Sequence, residues 1–274
     1  MRRWSCLWVG AVLLSLGFAA GAATITVNPG DDIQAAINGA GAGDTILLAA
    51  GVHDVAATIT VSKAVTIDGL GAATVRGTTS AARNVFSVTS SNVTLQNMDI
   101  TLSATYPLGD ELVDCLIGVP NYAGLTGVVI QGNTLHWPTQ PGAMGTWGGR
   151  AITIGKAGAP GVVISGNSVY NTRNGIVVQY NNPAVITDNL VYNTKGGVMN
   201  YTNNQADADT RTITGNTWGT VHNEWDIVWN SGGAYFTPDY HHSVFDLSLA
   251  NNGAYVGDRR DNNAPAYNAL GNRS

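Results

Sequence analysis

Charged side chains recur at one position of a repeating pattern in this sequence. Arg173, Lys195 and Glu224 each stand three residues before an aliphatic residue that the pattern directs inward, and Arg150 stands two residues before another. Neighbouring coils of such a repeat lie about 4.8 Å apart, so two cations in one column repel each other unless an anion joins them. The column predicts a cationic site for a carboxylate. The alternative is a surface ladder in which Glu224 pairs with Lys195, worth about 0–1 kcal/mol.

If this site is catalytic, removal of a proton next to a carboxylate is the reaction that these residue types serve best. Arg173 would clamp the carboxylate in a bidentate fork with help from Arg150, and Lys195 would act as the base. Glu224 would orient Lys195 or accept a hydrogen bond from a sugar hydroxyl. The reaction is then β-elimination on a uronate polymer. The competing enzyme hypothesis is a glycoside hydrolase that uses Glu224 and Asp226 as its two carboxylates.

Aromatic and amide side chains near the same strands are candidates for substrate binding. Trp137 and Trp147 lie on a long loop, where their rings could stack on sugar faces; the alternative is that they pack against the loop itself. Side chains alternate along a strand, which points Gln179, Tyr201 and Asn230 to the outer face. We expect these five residues to line a groove.

Two further groups carry a metal and a stacking hypothesis. Asp207 and Asp209 lie on one loop, and their hard oxygens suit Ca²⁺, although two carboxylates need further ligands; a solvated loop is the alternative. His136, Tyr170 and Tyr192 each follow a recurring asparagine by three positions. That shared position predicts ring stacking rather than catalysis.

The candidates depend on a repeat whose clearest mark is an asparagine. Residues 128–133, 162–167, 184–189 and 211–216 read VVIQGN, VVISGN, AVITDN and RTITGN. Asn167 and Asn189 are 22 residues apart, the length of one coil of three short strands. Stacked Asn side chains bond one another and the turn backbone, so we interpret them as structural. In earlier coils Met98 or Leu70 takes the Asn place.

A short helix is predicted at the start of the repeat. Asp32 precedes Ile33 and Ile37, which with two alanines form one apolar stripe at helical spacing. A helix across the open end of a solenoid would shield backbone edges. Together with the Asn repeat, this pattern predicts an all-β, right-handed parallel β-helix over residues 23–231 with a short N-terminal capping helix.

Both ends of the chain fall outside the repeat. Residues 1–22 have the layout of a secretory signal peptide, with Arg2 and Arg3, an apolar run and a small-residue cleavage site. The apolar run is shorter than the roughly 20 residues that span a bilayer. We therefore expect a secreted or cell-envelope protein without a membrane span. Residues 232–274 are expected to form a C-terminal coil or cap region, and a chain that ends before its natural cap is one alternative.

Charge and cysteine content exclude some classes of function. Without Arg2 and Arg3 the mature chain has 11 basic and 18 acidic residues, a net charge of about −7. No basic stripe is present, which argues against nucleic acid as a partner. Cys6 leaves with the signal peptide, so Cys115 has no disulfide partner and is expected to fill space in the core. We expect a monomer.

Three segments near the N-terminus carry a family resemblance. Residues 28–37 (NPGDDIQAAI), 43–51 (GDTILLAAG) and 65–71 (VTIDGLG) resemble the opening of the pectin-lyase-like right-handed parallel β-helix superfamily, and the match continues to about residue 231. The resemblance implies an extracellular polysaccharide as partner and a cleft on the outer face of the first strand of each coil. The superfamily includes lyases, epimerases and hydrolases, and several of their catalytic motifs are absent here. A non-catalytic glycan-binding or adhesive surface protein is therefore the alternative to an enzyme.

Overall fold

The fold is a parallel β-solenoid. The computed structural model describes residues 21–79, 81–82, 84–104, 115–138, 148–202, 210–218, 223, 225–231, 244–245, 255–258 and 267–268. Strands pair in parallel with strands one coil away, as Ser168–Val178 does with Leu190–Thr202. The pairing builds about seven turns, which confirms the predicted parallel β-helix.

The strands stack into three sheets, numbered by their order within a coil. The first sheet contains β4 (Ile59–Val61), β6 (Asn84–Val88), β8 (Cys115–Val119), β11 (Arg150–Ile154), β18 (Trp225–Ser231) and β20 (Tyr255–Asp258). The second sheet contains β1 (Thr24–Val27), β2 (Thr45–Leu48), β9 (Val129–Gln131), β12 (Val162–Ser165), β14 (Ala184–Thr187), β16 (Arg211–Thr214) and β19 (Val244–Phe245). The third sheet contains β3 (Gly51–Val55), β10 (Thr134–His136) and β17 (Thr217–Trp218).

Four long strands bend at a corner and belong to two sheets each. β5 (Thr66–Gly77) and β7 (Thr94–Leu102) pass from the second sheet to the third. β13 (Ser168–Val178) and β15 (Leu190–Thr202) pass from the third sheet to the first. Beyond residue 231, β19 and β20 continue the second and first sheets in parallel, and β21 (Tyr267–Asn268) pairs with β20 in antiparallel.

The predicted asparagine column is confirmed as a continuous ladder. The backbone N–H of Asn133 donates to the side-chain Oδ1 of Asn167 at 3.0 Å, and the same contact joins Asn167 to Asn189 and Asn189 to Asn216. Each Nδ2 also donates to the carbonyl of a second-sheet residue on the preceding coil, such as Ile130 for Asn167. These amides thus provide hydrogen-bond partners for the backbone N–H and carbonyl groups at the corner between the second and third sheets.

The residue before each ladder position explains why the sequence pattern is so regular. Gly132, Gly166, Asp188 and Gly215 all have φ between 56° and 66°, in the left-handed region. Glycine reaches this region without strain, and Asn or Asp tolerates it better than other residues. Met98 ends the ladder, because its backbone N–H donates to Oδ1 of Asn133.

Leu70 does not occupy the Asn place. It is 65% exposed with φ of 51°, and Ala73 instead pairs with Met98 across an irregular register. The bulge after Asp68 displaces the corner by three residues, which the sequence spacing alone does not reveal.

The capping helix is present as α1 (Ile33–Gly39). Asp32 is its N-cap, and its side chain accepts a hydrogen bond from the backbone N–H of Ala35 at 3.1 Å. Ile33 and Ile37 are buried and belong to the core. The core continues along the solenoid axis as columns of aliphatic side chains, each of which contributes about 1.5–3 kcal/mol when fully buried. Within the described residues, no helix is long and apolar enough to cross a membrane.

Candidate functional site

A cavity of about 310 Å³ opens on the outer face of the first sheet, across β6, β8, β11 and β13. Its described lining consists of Asn84, Cys115, Gly118, Val119, Pro120, Asn121, Arg150, Thr153, Gly155 and Gln179. This is the face on which the outward strand positions were expected to form a groove. Its volume falls at the lower end of the range for small-ligand pockets.

Glycines form part of the wall of this cavity. Gly118 pairs with Thr153 across β8 and β11, and a Cβ on Gly118 would lie 3.0 Å from both the Asn84 amide and the Cys115 thiol. A Cβ on Gly155 would lie 2.6 Å from the backbone nitrogen of Asn121. A side chain at either position would crowd the neighbouring coil, so glycine allows the wall of the cavity to pack this closely.

Arg150 begins β11 and lines the cavity, although only 4% of its surface is exposed. Its backbone carbonyl accepts a hydrogen bond from Nε1 of Trp137 at 3.2 Å. The Trp137 ring is fully buried in the core, against Gly149, which has a φ of 71°. Trp137 therefore holds the backbone at Arg150 and presents no ring face to a sugar, in contrast to the stacking role that we predicted from its loop position.

Apart from the apolar Val119 and Pro120, the other lining side chains are neutral hydrogen-bonding groups. Cys115 is buried and donates from Sγ to Oδ1 of Asn84 at 3.0 Å. Asn121 accepts at Oδ1 from the backbone N–H of Lys156 at 2.7 Å. Oγ1 of Thr153 is buried with no hydrogen-bond partner among the described residues. The described lining thus combines one cation, Arg150, with amides, a thiol and a hydroxyl.

Arg173 and Lys195 lie beside one another but outside the cavity lining. Thr172 pairs with Thr194 and Asn174 with Gly196, which places the two cations at the same level of β13 and β15. The backbone N–H of Arg173 donates to the carbonyl of Gly148. Arg150 pairs with Asn174, so the three cations occupy successive coils and are staggered by one residue. Arg173 and Lys195 are both half-buried.

Several predicted site residues lie outside the described part of the chain. These are Glu224, Trp147, Asp207 and Asp209. Asp226 and Asn230 belong to β18, but their side chains are not among those described. Among the described residues, no group of three or more His, Cys, Asp or Glu side chains could hold a metal ion.

Beyond the cavity, the outer face of the first sheet is covered by packed side chains. Gln179 lines the cavity, but the next outward residues Val177 and Met199 are buried and pack with Tyr201 as a small apolar cluster separate from the core. Tyr201 itself is half-buried, and its ring meets that of Tyr180 edge-on with centroids 6.1 Å apart. An open groove along all the outward positions is therefore replaced by a bounded cavity at β8, β11 and β13.

A row of side chains that the sequence pattern did not reveal borders the cavity. Tyr122, Lys156 and Tyr180 follow the first-sheet strands of three successive coils, and the Nζ of Lys156 lies 5.6 Å from the centroid of each tyrosine ring. Each row residue comes directly after a lining residue in the chain. This shared position after a lining residue is the sequence signal that could have indicated the row, and it can be recognised once the strand register is known.

The predicted ring stack on the third sheet is confirmed. His136 and Tyr170 stack with centroids 4.8 Å apart, and Tyr170 and Tyr192 with centroids 4.9 Å apart. Burial raises the pKa of the Tyr170 hydroxyl, and the neighbouring charges of Tyr192 and Asp99 raise it further. The Nε2 of His136 lies 3.1 Å from a carboxylate oxygen of Asp99. This stack lies on a different face from the cavity and belongs to the framework.

The fold is that of a parallel β-helix protein, with a cavity on the outer face of its first sheet. No protein-family model matches the sequence, and no curated protein matches it. Among solved structures, the chain is similar to a PL6-family alginate lyase at 15% identity and a TM-score of 0.42, over 92% of this chain and 41% of that one.

Two other solved structures show a similarity of the same order. Pectate lyase Pel9A matches at 11% identity and a TM-score of 0.40, over 90% of this chain and 82% of that one. An alginate lyase from Paenibacillus matches at 16% identity and a TM-score of 0.33, over 84% of this chain and 99% of that one. The chain spans about two fifths of the length of the PL6 lyase. The strand pairing described above, rather than these likenesses, establishes the fold.

Proposed function

We propose that this protein is exported and binds an acidic polysaccharide, with one sugar carboxylate held by Arg150 in the cavity on the first sheet. The observation that carries the proposal is the lining of that cavity, in which a nearly buried guanidinium faces neutral amides and a hydroxyl. The planar guanidinium matches a carboxylate and can donate two parallel hydrogen bonds to it. Such charge-assisted bonds gain strength where the protein excludes water.

The neutral lining residues suit the remainder of a sugar. Asn84, Asn121 and Gln179 offer amide donors and acceptors, and Thr153 offers a hydroxyl with no described partner. Such groups bond sugar hydroxyls, which both donate and accept. These groups together favour a polar ring that carries one negative charge.

Cleavage by β-elimination would require a base in addition to the carboxylate clamp. In the register of the first sheet, Lys195 lies two coils from Arg150, about 10 Å along the solenoid axis, with Arg173 between them. A polymer that continues from Arg150 over these coils would bring a further sugar to Lys195. The lyase hypothesis assigns Lys195 as the base, whereas the hydrolase hypothesis assigns Glu224 and Asp226 as the two catalytic carboxylates.

We expect Arg150→Gln to weaken the binding of polygalacturonate or alginate about 10- to 100-fold, because charge-assisted hydrogen bonds contribute about 1.5–3 kcal/mol. Affinity electrophoresis through gels that contain each polymer, with dextran as the neutral comparison, measures the loss. Arg76→Gln is the matched control, since Arg76 pairs with Asp54 on the third sheet, away from the cavity. Thermal unfolding of each variant shows whether the fold is retained. Arg150→Lys keeps the positive charge without the planar guanidinium, so its affinity should fall between those of wild type and Arg150→Gln.

The same proteins, with and without Ca²⁺, distinguish binding from cleavage. Ultraviolet absorbance from an unsaturated uronate end that Lys195→Ala abolishes would assign β-elimination to Lys195, whereas equal absorbance in both proteins would exclude Lys195 as the base. New reducing ends without absorbance would favour the hydrolase. Binding without either product would identify a non-catalytic glycan-binding protein. If neither acidic polymer retains the wild-type protein, or if Arg150→Gln binds as well as wild type, the proposed function is wrong.

Export is supported by the composition of residues 1–22. Expression of the full-length chain in a bacterial host should release a protein whose N-terminal sequence begins near Ala23 or Thr24, because the small-residue site is the one a signal peptidase recognises. Edman sequencing or intact mass of the protein outside the cytoplasm measures the start. A soluble protein that keeps Arg2 and Arg3 and remains in the cytoplasm would contradict export.

A further inference from the structure

Tyr122, Lys156 and Tyr180 form a surface that we name the tyrosine–lysine row. They occupy the turns after β8, β11 and β13. The backbone N–H of Tyr122 donates to the carbonyl of Lys156 at 2.6 Å, and the N–H of Ala157 donates to the carbonyl of Tyr180 at 2.8 Å. These two hydrogen bonds continue the parallel pairing of the strands into the turns, so the three residues follow one another at the spacing of the coils, about 4.8 Å.

The side chains of the row alternate aromatic, cationic and aromatic. The ammonium of Lys156 lies 5.6 Å from the centroid of each ring, inside the distance of about 6 Å at which a cation and an aromatic face attract each other. Tyr122 is 69% exposed, and Lys156 and Tyr180 are half-buried. Lys156 is thereby held between the two rings, and of these the Tyr122 ring is the more exposed.

The row forms the rim of the cavity at the end opposite Arg150. Its three members directly follow Asn121, Gly155 and Gln179, which line the cavity. Arg150 and Gly155 are separated by five strand residues, or about 16 Å. One sugar ring cannot reach both the guanidinium at the start of β11 and the ammonium after its end. A ligand that uses both cations must be a chain of sugars.

We propose that the tyrosine–lysine row is a second sugar subsite, at which Lys156 binds the carboxylate of one sugar and the rings of Tyr122 and Tyr180 flank that sugar. Tyrosine gives a large contact area at low cost in side-chain entropy. The inference rests on the proposed function and adds that the bound chain runs along β11, from Arg150 to the row, so that the ligand is an oligomer rather than a single sugar.

Isothermal titration of the mature chain with galacturonate, hexagalacturonate and hexamannuronate tests this subsite. Wild type should bind one of the hexamers more tightly than the monosaccharide. Tyr122→Ala and Lys156→Gln should each weaken binding of that hexamer about three- to tenfold and leave binding of the monosaccharide unchanged. Lys156→Arg should restore most of the affinity. Arg150→Gln should weaken both ligands.

Leu70→Ala is the matched control for Tyr122→Ala, since Leu70 is also exposed and has a similar positive φ of 51° but lies on another corner. It should bind the hexamer as wild type does. If Tyr122→Ala and Lys156→Gln bind the hexamer as tightly as Leu70→Ala does while Arg150→Gln fails, the row is not a subsite and the proposed function stands. If wild type binds none of the three sugars, both proposals fail together.

Discussion

Replacement of Asn167 by alanine is expected to lower the free energy of unfolding by about 3–5 kcal/mol. The Asn167 side chain accepts from the N–H and Nδ2 of Asn133 at 3.0 and 3.1 Å, and donates to the Ile130 carbonyl and to Oδ1 of Asn189, both at 3.0 Å. All of these contacts are buried. Alanine would leave a backbone N–H and a carbonyl without partners, and each such group costs about 1–3 kcal/mol.

Urea unfolding followed by circular dichroism measures this loss. Asn38→Ala is the matched control, because Asn38 is exposed on helix α1 and its side chain accepts one hydrogen bond from Gln34 at 3.0 Å. That variant should unfold within about 0.5 kcal/mol of wild type. Equal unfolding midpoints for Asn167→Ala and Asn38→Ala would show that the ladder does not support the corner.

Gly149→Ala is expected to cost about 2–5 kcal/mol of stability and to weaken polysaccharide binding as well. Gly149 has a φ of 71°, where a side chain costs about 1–2 kcal/mol, and an added Cβ would overlap the six-membered ring of Trp137. Overpacking of this kind costs a further 1–3 kcal/mol or so. The displaced indole would also withdraw its hydrogen bond from the carbonyl of Arg150.

Gly161→Ala separates the cost of backbone strain from the cost of the overlap with Trp137. Gly161 has a φ of 83°, but a Cβ there would meet no atom within 4 Å, so only the backbone strain of about 1–2 kcal/mol remains. Thermal unfolding and gel affinity for polygalacturonate should place Gly149→Ala below Gly161→Ala in both stability and binding. Identical behaviour of the two variants would mean that Trp137 does not hold the wall of the cavity.

The framework could be predicted because its determinants are local and repeated. Each ladder asparagine follows a residue that tolerates a left-handed backbone, and this pair of residues recurs in every clear coil. The stack of His136, Tyr170 and Tyr192 could be predicted for the same reason, since a shared offset from the asparagine becomes a shared column once the coils stack. The position of Leu70 could not, because a bulge in β5 breaks the offset.

The cavity could not be predicted in the same way, because its parts come from segments with no common pattern. Trp137 stands on a loop in the sequence, yet its ring folds back into the core through a space that only Gly149 leaves. Gly118 and Gly155 matter for the side chains that they lack, and glycines in strands also occur at bulges and tight bends. Lys156 stands between two rings that are 34 and 24 residues away in sequence, so their proximity depends on the lengths of two unrelated turns.

The asparagine ladder also determines how such a protein can change over evolutionary time. Successive ladder residues are 34, 22 and 27 residues apart, yet each pair makes the same contact at 3.0 Å. Extra residues are therefore absorbed between ladder positions without disturbing the axis of the solenoid. Whole coils can be gained by duplication and loops can be lengthened or replaced, while the frame that holds them stays in register. A change in the proposed ligand would then require new residues only on the outer face of the first sheet and in the turns and loops beside it.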